Sequence, residues 1–139
     1  MPEAHRVSTQ RLPTAREIMV TSLVTFDPGM LLSDAMAVLL SKRISGAPVV
    51  DGQGNLIGII SKKDCLKVAF RAGYHKERAG PVSDYMSRDV QTVDAGTDIV
   101  TVAEQFLKGP FRRFPVLEDN RLVGQISRHD VLRALEDLW

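Results

Sequence analysis

The chain has 139 residues, 18 basic side chains against 17 acidic, a formal net charge of +1, 44% hydrophobic residues and one cysteine. A chain of this size buries about two-thirds of its unfolded surface. Its near-neutral charge leaves none of the long-range field that a non-specific nucleic-acid binder or a protein held on anionic lipid carries. The longest apolar runs are four to six residues, far short of the roughly 18 to 20 that span a bilayer. The start has no apolar stretch like that of a signal peptide, and a lone Cys65 closes no internal disulfide and builds no zinc site. A soluble, cytoplasmic protein is expected.

In chain order, residues 1–13 read as a tail. Thr14-Ala15-Arg16-Glu17 then has the spacing of a capping box and opens a short helix ending near Met19. Residues 23–26 form a β-type run closed by Asp27-Pro28-Gly29. Apolar residues at 32, 35, 36, 39 and 40 follow the i, i+3, i+4, i+7, i+8 stripe of an amphipathic helix. Residues 47–50 and 56–60 flank a Gly-rich turn and read as a hairpin, after which a second helix starts at Ser61. Residues 74–80 are a polar, Gly- and Pro-bounded linker, in which His75, Lys76 and Arg78 are candidates to close over a polyphosphate.

The same order then returns. A lead-in begins near Ser83, a β-type run covers 90–93, and a helical stripe falls on 99, 102, 103, 106 and 107. A hairpin over 114–117 and 122–126 precedes a helix starting at Ser127. Met19 matches Met86, Asp27 matches Asp94 and Pro48 matches Pro115 at a spacing of 67. Gly58 and Gly124, Ser61 and Ser127, Asp64 and Asp130 match at 66. The lost residue falls in the hairpin turn, where insertion costs least. The chain is a β-α-β-β-α unit written twice, a mixed α+β fold. One short sheet with helices on one face buries little by itself, so the two units are expected to pack sheet to sheet.

These strings, in this order and spacing, resemble a tandem pair of cystathionine β-synthase (CBS) domains, a Bateman module. They are Ile18-Met19, Gly46-Ala47-Pro48-Val49-Val50-Asp51 and Gly58-Ile59-Ile60-Ser61-Lys62-Lys63-Asp64, with Tyr85-Met86, Arg113-Phe114-Pro115-Val116-Leu117 and Gly124-Gln125-Ile126-Ser127-Arg128-His129-Asp130 in the second copy. The resemblance covers about residues 14–138 and sets the expected domains at 14–73 and 81–139.

Each Ser-x-x-Asp string sits where a strand turns into a helix. Ser as N-cap with an acidic residue three positions on satisfies orphan backbone amides, which accounts for both residues without a ligand. A hydroxyl and amides at a helix start also favour a phosphate, and a carboxylate accepts ribose hydroxyls. The resemblance implies this second use, with each cleft shared between the copies. It assigns Ser127 and Asp130 to one site with Thr25, Asp27, Ser45, Gly46 and Ala47. It assigns Ser61 and Asp64 to the other with Thr92, Asp94, Arg112, Arg113 and Phe114. The small Ser45-Gly46-Ala47 run leaves room for a purine, so the site using Asp130 ranks first. Lys62, Lys63, Arg128 and His129, with Arg112 and Arg113, are candidates for phosphate contacts, against the plain alternative of solvated helix-start charges.

Phe106, Phe111, Met36 and Leu39 are expected in the core or a dimer interface. No motif of nucleophilic, metal-dependent or phosphate-loop catalysis is present in the sequence, His5 and His75 lack partners at metal-ligand spacing, and Cys65 reads as a buried, inert thiol. The expected function is that of a stand-alone regulatory module without enzymatic activity. It needs no cofactor or metal, takes AMP, ADP or ATP as ligand, and signals to a partner protein of unknown identity by a change of shape or assembly. The resemblance further implies a homodimer joined through paired helices. The alternatives are an S-adenosylmethionine ligand, a ligand-independent scaffold, and a nucleic-acid binder. The last is disfavoured by net charges of +2 over 14–73 and −3 over 81–139.

Overall fold

The computed structural model describes residues 11–75 and 79–139. Most of the expected tail, and Lys76 and Arg78 of the expected linker, lie outside the described residues, as does the side chain of His75. The chain divides into two compact units. One is built from Met1–Thr21, Thr92–Glu118 and Val123–Trp139, the other from Ser22–Gln91 and Asp119–Leu122.

In the unit around Ser22–Gln91, α2 (Leu32–Lys42) buries Leu32, Ala35 and Leu39, the inner half of its stripe. Leu40 lies at the stripe's edge and is 62% exposed. The helix ends because Arg43 turns left-handed at φ 55°, which lets the Ile44 amide donate back to Leu39 O at 3.1 Å. Strands β1 (Gly46–Val50) and β2 (Leu56–Ser61) pair antiparallel, with Gly46 opposite Ser61. Their turn is held by Asp51, whose Oδ1 accepts from the Gln53 and Asn55 amides at 2.9 Å each. The strand expected over 23–26 is reduced to one parallel bridge, Phe26 to Val49. Only the Phe26 amide and carbonyl reach β1, so the ladder extends no further. Helix α3 (Lys62–His75) follows β2.

The last residues of the expected linker are tied into this unit. Leu32 N donates to Gly80 O, and Gly80 N donates to Tyr85 Oη, both at 3.0 Å. A 3₁₀ turn, Val82–Asp84, follows, and Ser87 exchanges two 2.9 Å hydrogen bonds with Ile59 of β2. Gly58 is required there, since a Cβ on it would lie 2.6 Å from Met86 Sδ and 2.9 Å from Ser87 O.

The other unit repeats the plan. Helix α1 (Ala15–Ile18) opens with the expected capping box, Thr14 with Glu17. Met19 and Val20 then lie on Gly124 as Met86 and Ser87 lie on Gly58, with Val20 exchanging hydrogen bonds with Gln125. Each lead-in segment therefore packs on the strands of the other sequence repeat, an exchange that chain order alone does not reveal. Strand β3 (Val93–Asp94) runs parallel to β4 (Arg113–Glu118), and β4 also bonds β5 (Arg121–Ser127). Asp119 and Asn120, both at positive φ, make the two-residue turn of this hairpin. Helix α4 (Ile99–Leu107) is capped by Asp98, which accepts from Thr101 N at 2.9 Å. Helix α5 (Arg128–Leu138) closes the unit.

The architecture is the expected mixture of helices and short sheets. Phe106 and Leu39 are buried and Met36 packs partly buried against its core, while Phe111 is 42% exposed. Cys65 is buried, and desolvation, with the Asp64 charge as a second cause, pushes its thiol pKa up. Among the described residues no helix is long and apolar enough to cross a membrane.

Candidate functional site

Both Ser-x-x-Asp strings fold as capping boxes. At the start of α5, Asp130 N donates to Ser127 Oγ at 3.2 Å and Ser127 N donates to Asp130 Oδ2 at 2.8 Å. At the start of α3 the equivalent bonds are 3.1 Å to Ser61 Oγ and 3.0 Å to Asp64 Oδ2. The two ends differ in one hydrogen bond. Ser61 Oγ donates to Asp64 Oδ2 at 2.8 Å, and no such bond joins Ser127 Oγ to Asp130.

The capping role does not exhaust these groups. Every bond to either carboxylate lands on Oδ2, and among the described residues none reaches Oδ1 of Asp64 or Asp130. Both side chains are half-buried. A carboxylate has about four acceptor positions, so each retains the lone pairs to take ribose hydroxyls.

Amide capacity is smaller than a bare helix start suggests. The first helical amide of α3, Lys62 N, donates to Ser45 O at 2.8 Å, and Arg128 N of α5 donates to Arg112 O at 3.0 Å. With the cap and third-position amides also used, among the described residues one amide is left at each start, that of Lys63 and that of His129. An anion of more than one charge would need side-chain cations as well.

These bonds place the remaining expected residues. Ser45, Gly46 and Ala47 enter β1 beside Ser61, so close that a Cβ on Gly46 would lie 2.9 Å from Ile60 O. Arg112, Arg113 and Phe114 enter β4 beside Ser127. Ala47 and Phe114 are each 3% exposed, so what they can offer a ligand is backbone. The Phe114 ring stacks on Phe106 at 4.4 Å between centroids. Asp27 and Asp94 close matching turns, accepting from Gly29 N at 2.9 Å and Gly96 N at 3.0 Å. Thr25 is exposed and Thr92 half-buried, each one residue before the position that joins the strand.

Of the expected cations, Lys62, Lys63, Arg112, Arg113 and His129 are exposed. Arg128 is exposed too, but its Nε donates to Phe111 O at 2.9 Å and one terminal amine lies 3.5 Å from Gly109 O. These two carbonyls lie 17 and 19 residues upstream of this candidate phosphate contact, and no local spacing rule points to them.

A family model described as CBS domain matches residues 15–71 and again 82–137. An uncharacterized protein of Methanocaldococcus jannaschii, MJ1225, is 31% identical over 124 residues, which make up 89% of this chain and 43% of that protein. The A-adding tRNA nucleotidyltransferase of Aquifex aeolicus is 32% identical over 122 residues, 88% of this chain and 14% of that enzyme. In both, this chain corresponds to a part of a longer protein. The crystal structure of CBSX2 from Arabidopsis thaliana in complex with AMP superposes with a TM-score of 0.76 at 28% identity, covering 91% of this chain and 98% of that one.

Proposed function

The chain belongs to the CBS-domain family, and from that membership we propose that it is a regulatory module whose ligand is an adenosine nucleotide, AMP, ADP or ATP. The observation that carries this reading is Oδ1 of Asp64 and of Asp130, which the cap leaves without a partner among the described residues. Likeness to CBSX2, whose crystal structure holds AMP, supports the same ligand class.

In this reading the carboxylates take the ribose, the Lys63 and His129 amides meet phosphate oxygens, and Arg112, Arg113, Lys62 and Lys63 supply further charge. Ser127, whose hydroxyl does not donate to its own Asp, has a proton to give a phosphate. Ser61 spends that proton on Asp64. Asp130→Ala therefore weakens binding more than Asp64→Ala in isothermal titration, and the reverse order would overturn this ranking.

The module acts on a partner protein only if the ligand prefers one of two states, because equal affinity shifts no population. Assembly as a homodimer through helices is part of the proposal. Leu40, Leu66 and Phe70 of one unit are 62%, 70% and 75% exposed, and Leu107 and Leu132 of the other are 87% and 64% exposed. Apolar helix faces of this kind favour association. No catalytic role is assigned.

The test is thermal denaturation with a panel of AMP, ADP, ATP and S-adenosylmethionine. A ligand at about 100 times its Kd adds about 2.7 kcal/mol to stability and raises the melting temperature. A shift with S-adenosylmethionine alone would replace the nucleotide, and no shift with any member would favour a scaffold without a ligand.

A further inference from the structure

The second repeat's entry into β4 is fastened by a device that the first repeat lacks. After α4 the chain bends at residues 109 and 110, and Phe111 lays its ring on Gly109, where an added Cβ would be 3.2 Å from the ring. The same ring tilts against Phe114, with centroids 5.6 Å apart. From the other side the Arg128 guanidinium spans the carbonyls of Phe111 and Gly109, and the Arg128 amide holds Arg112 O. One residue thus grips three consecutive parts of the segment that presents Arg112 and Arg113. In the first repeat Lys62 keeps only the main-chain bond, to Ser45 O, and among the described residues its ammonium has no hydrogen-bond or ion-pair partner.

We infer that Arg128 is a positioning residue that straps residues 109–112 to the start of α5, setting the edge on which Arg112 and Arg113 meet a ligand, and is not itself a phosphate contact. The chemistry follows from the fork of the guanidinium, whose several N–H donors can reach two carbonyls at once while an ammonium on a flexible stem acts as a point charge. With its Nε–H and one terminal amine turned to backbone carbonyls, Arg128 fixes geometry at the site edge. Its affinity consequences rest on the nucleotide reading, and its structural consequence does not.

The experiment compares wild type with Arg128→Lys and Arg128→Gln. Hydrogen exchange in free protein is the first readout. Both variants should speed exchange of the amide of residue 128, which donates to Arg112 O at 3.0 Å, by about tenfold or more, as expected when the charge-assisted bonds that hold its acceptor segment are removed. Unchanged exchange in both would overturn the strap, and this arm decides even if no nucleotide binds.

Titration with AMP and ATP is the second readout. A strap predicts that both variants lose the same factor, about three- to tenfold, for AMP and for ATP, with unchanged salt dependence. A direct phosphate contact predicts a larger loss for ATP and rescue by Lys, and either result would overturn the inference. If Arg128→Gln fails to fold, Arg128→Lys alone carries both readouts.

Discussion

Leu39 and Ala47 in one repeat stand in register with Phe106 and Phe114 in the other, and Arg43 stands in register with Pro110. The first repeat ends its long helix with a left-handed residue at Arg43 and enters its strand through the small residues Ser45, Gly46 and Ala47. In the second, proline cannot take that left-handed turn. Helix α4 stops at Leu107, and the strand is entered through Arg112, Arg113 and Phe114. Both retain the same capping box, the same antiparallel or parallel partners of the central strand, and the same Met-on-Gly contact. The difference teaches that the helix start is the fixed part of this fold. Volume and charge at the strand entry are the adjustable part.

Placing one repeat's residues in the other breaks the comparison most sharply. Phe114→Ala, which installs the residue of the first repeat, removes a stacked ring that is 3% exposed, and its loss should cost about 3–5 kcal/mol in urea unfolding. Next comes Gly46→Ala. The new Cβ would meet Ile60 O and crowd Ser61 Cα, with an expected cost of about 1–3 kcal/mol. Arg113→Ala at the matching exposed position should stay within about 0.5 kcal/mol. Equal effects at the two positions would remove the distinction between the entries.

Removing the caps should treat the repeats alike. Ser61→Ala and Ser127→Ala are each expected to cost about 1 kcal/mol in the same measurement.

The smallest effect lies at the lead-in of α1. Glu17 accepts from Arg11 at 2.6 Å and from Thr14 N at 3.2 Å, and the Arg11 bond is the main reason its carboxyl falls from an ordinary 4.5 to about 2. A lowered folded pKa means that its contribution is present above about pH 4.5 and is lost as pH falls toward 2. The pair is exposed and screened by salt, so the change is slight. NMR titration of Glu17 should give a midpoint below the ordinary 4.5 that moves back up with added salt, and Glu17→Gln should slightly flatten the acid limb of the melting profile.

Periodicity made the helices and hairpins legible, since Leu32, Ala35 and Leu39 and their counterparts Ile99, Val102 and Phe106 are the buried positions of their stripes. The capping boxes were legible from spacing alone. Less so were the outer residues of those stripes, because a pattern of apolar positions does not say how wide the buried face is. Leu40 and Leu107 are exposed. The first strands shrank to a bridge and a two-residue strand because backbone pairing with β1 and β4 ends after one or two residues. Nothing local to Met19 or Met86 indicates which glycine each will cover. In the candidate site, Asp64 and Asp130 were readable as residues, but which of their two oxygens the cap takes depends on the fold around each helix start. The reach of Arg128 to residues 109 and 111 is a contact across the whole β4–β5 hairpin, invisible to any spacing rule.

Equilibrium dialysis of labelled AMP against wild type and an Asp64→Asn, Asp130→Asn double variant tests the central claim most directly. Asparagine keeps a carbonyl for the cap and loses the charge offered to a ribose. Saturable binding by wild type and at least tenfold weaker binding by a variant that still folds is the predicted result. No binding by wild type, or undiminished binding by the double variant, would contradict it.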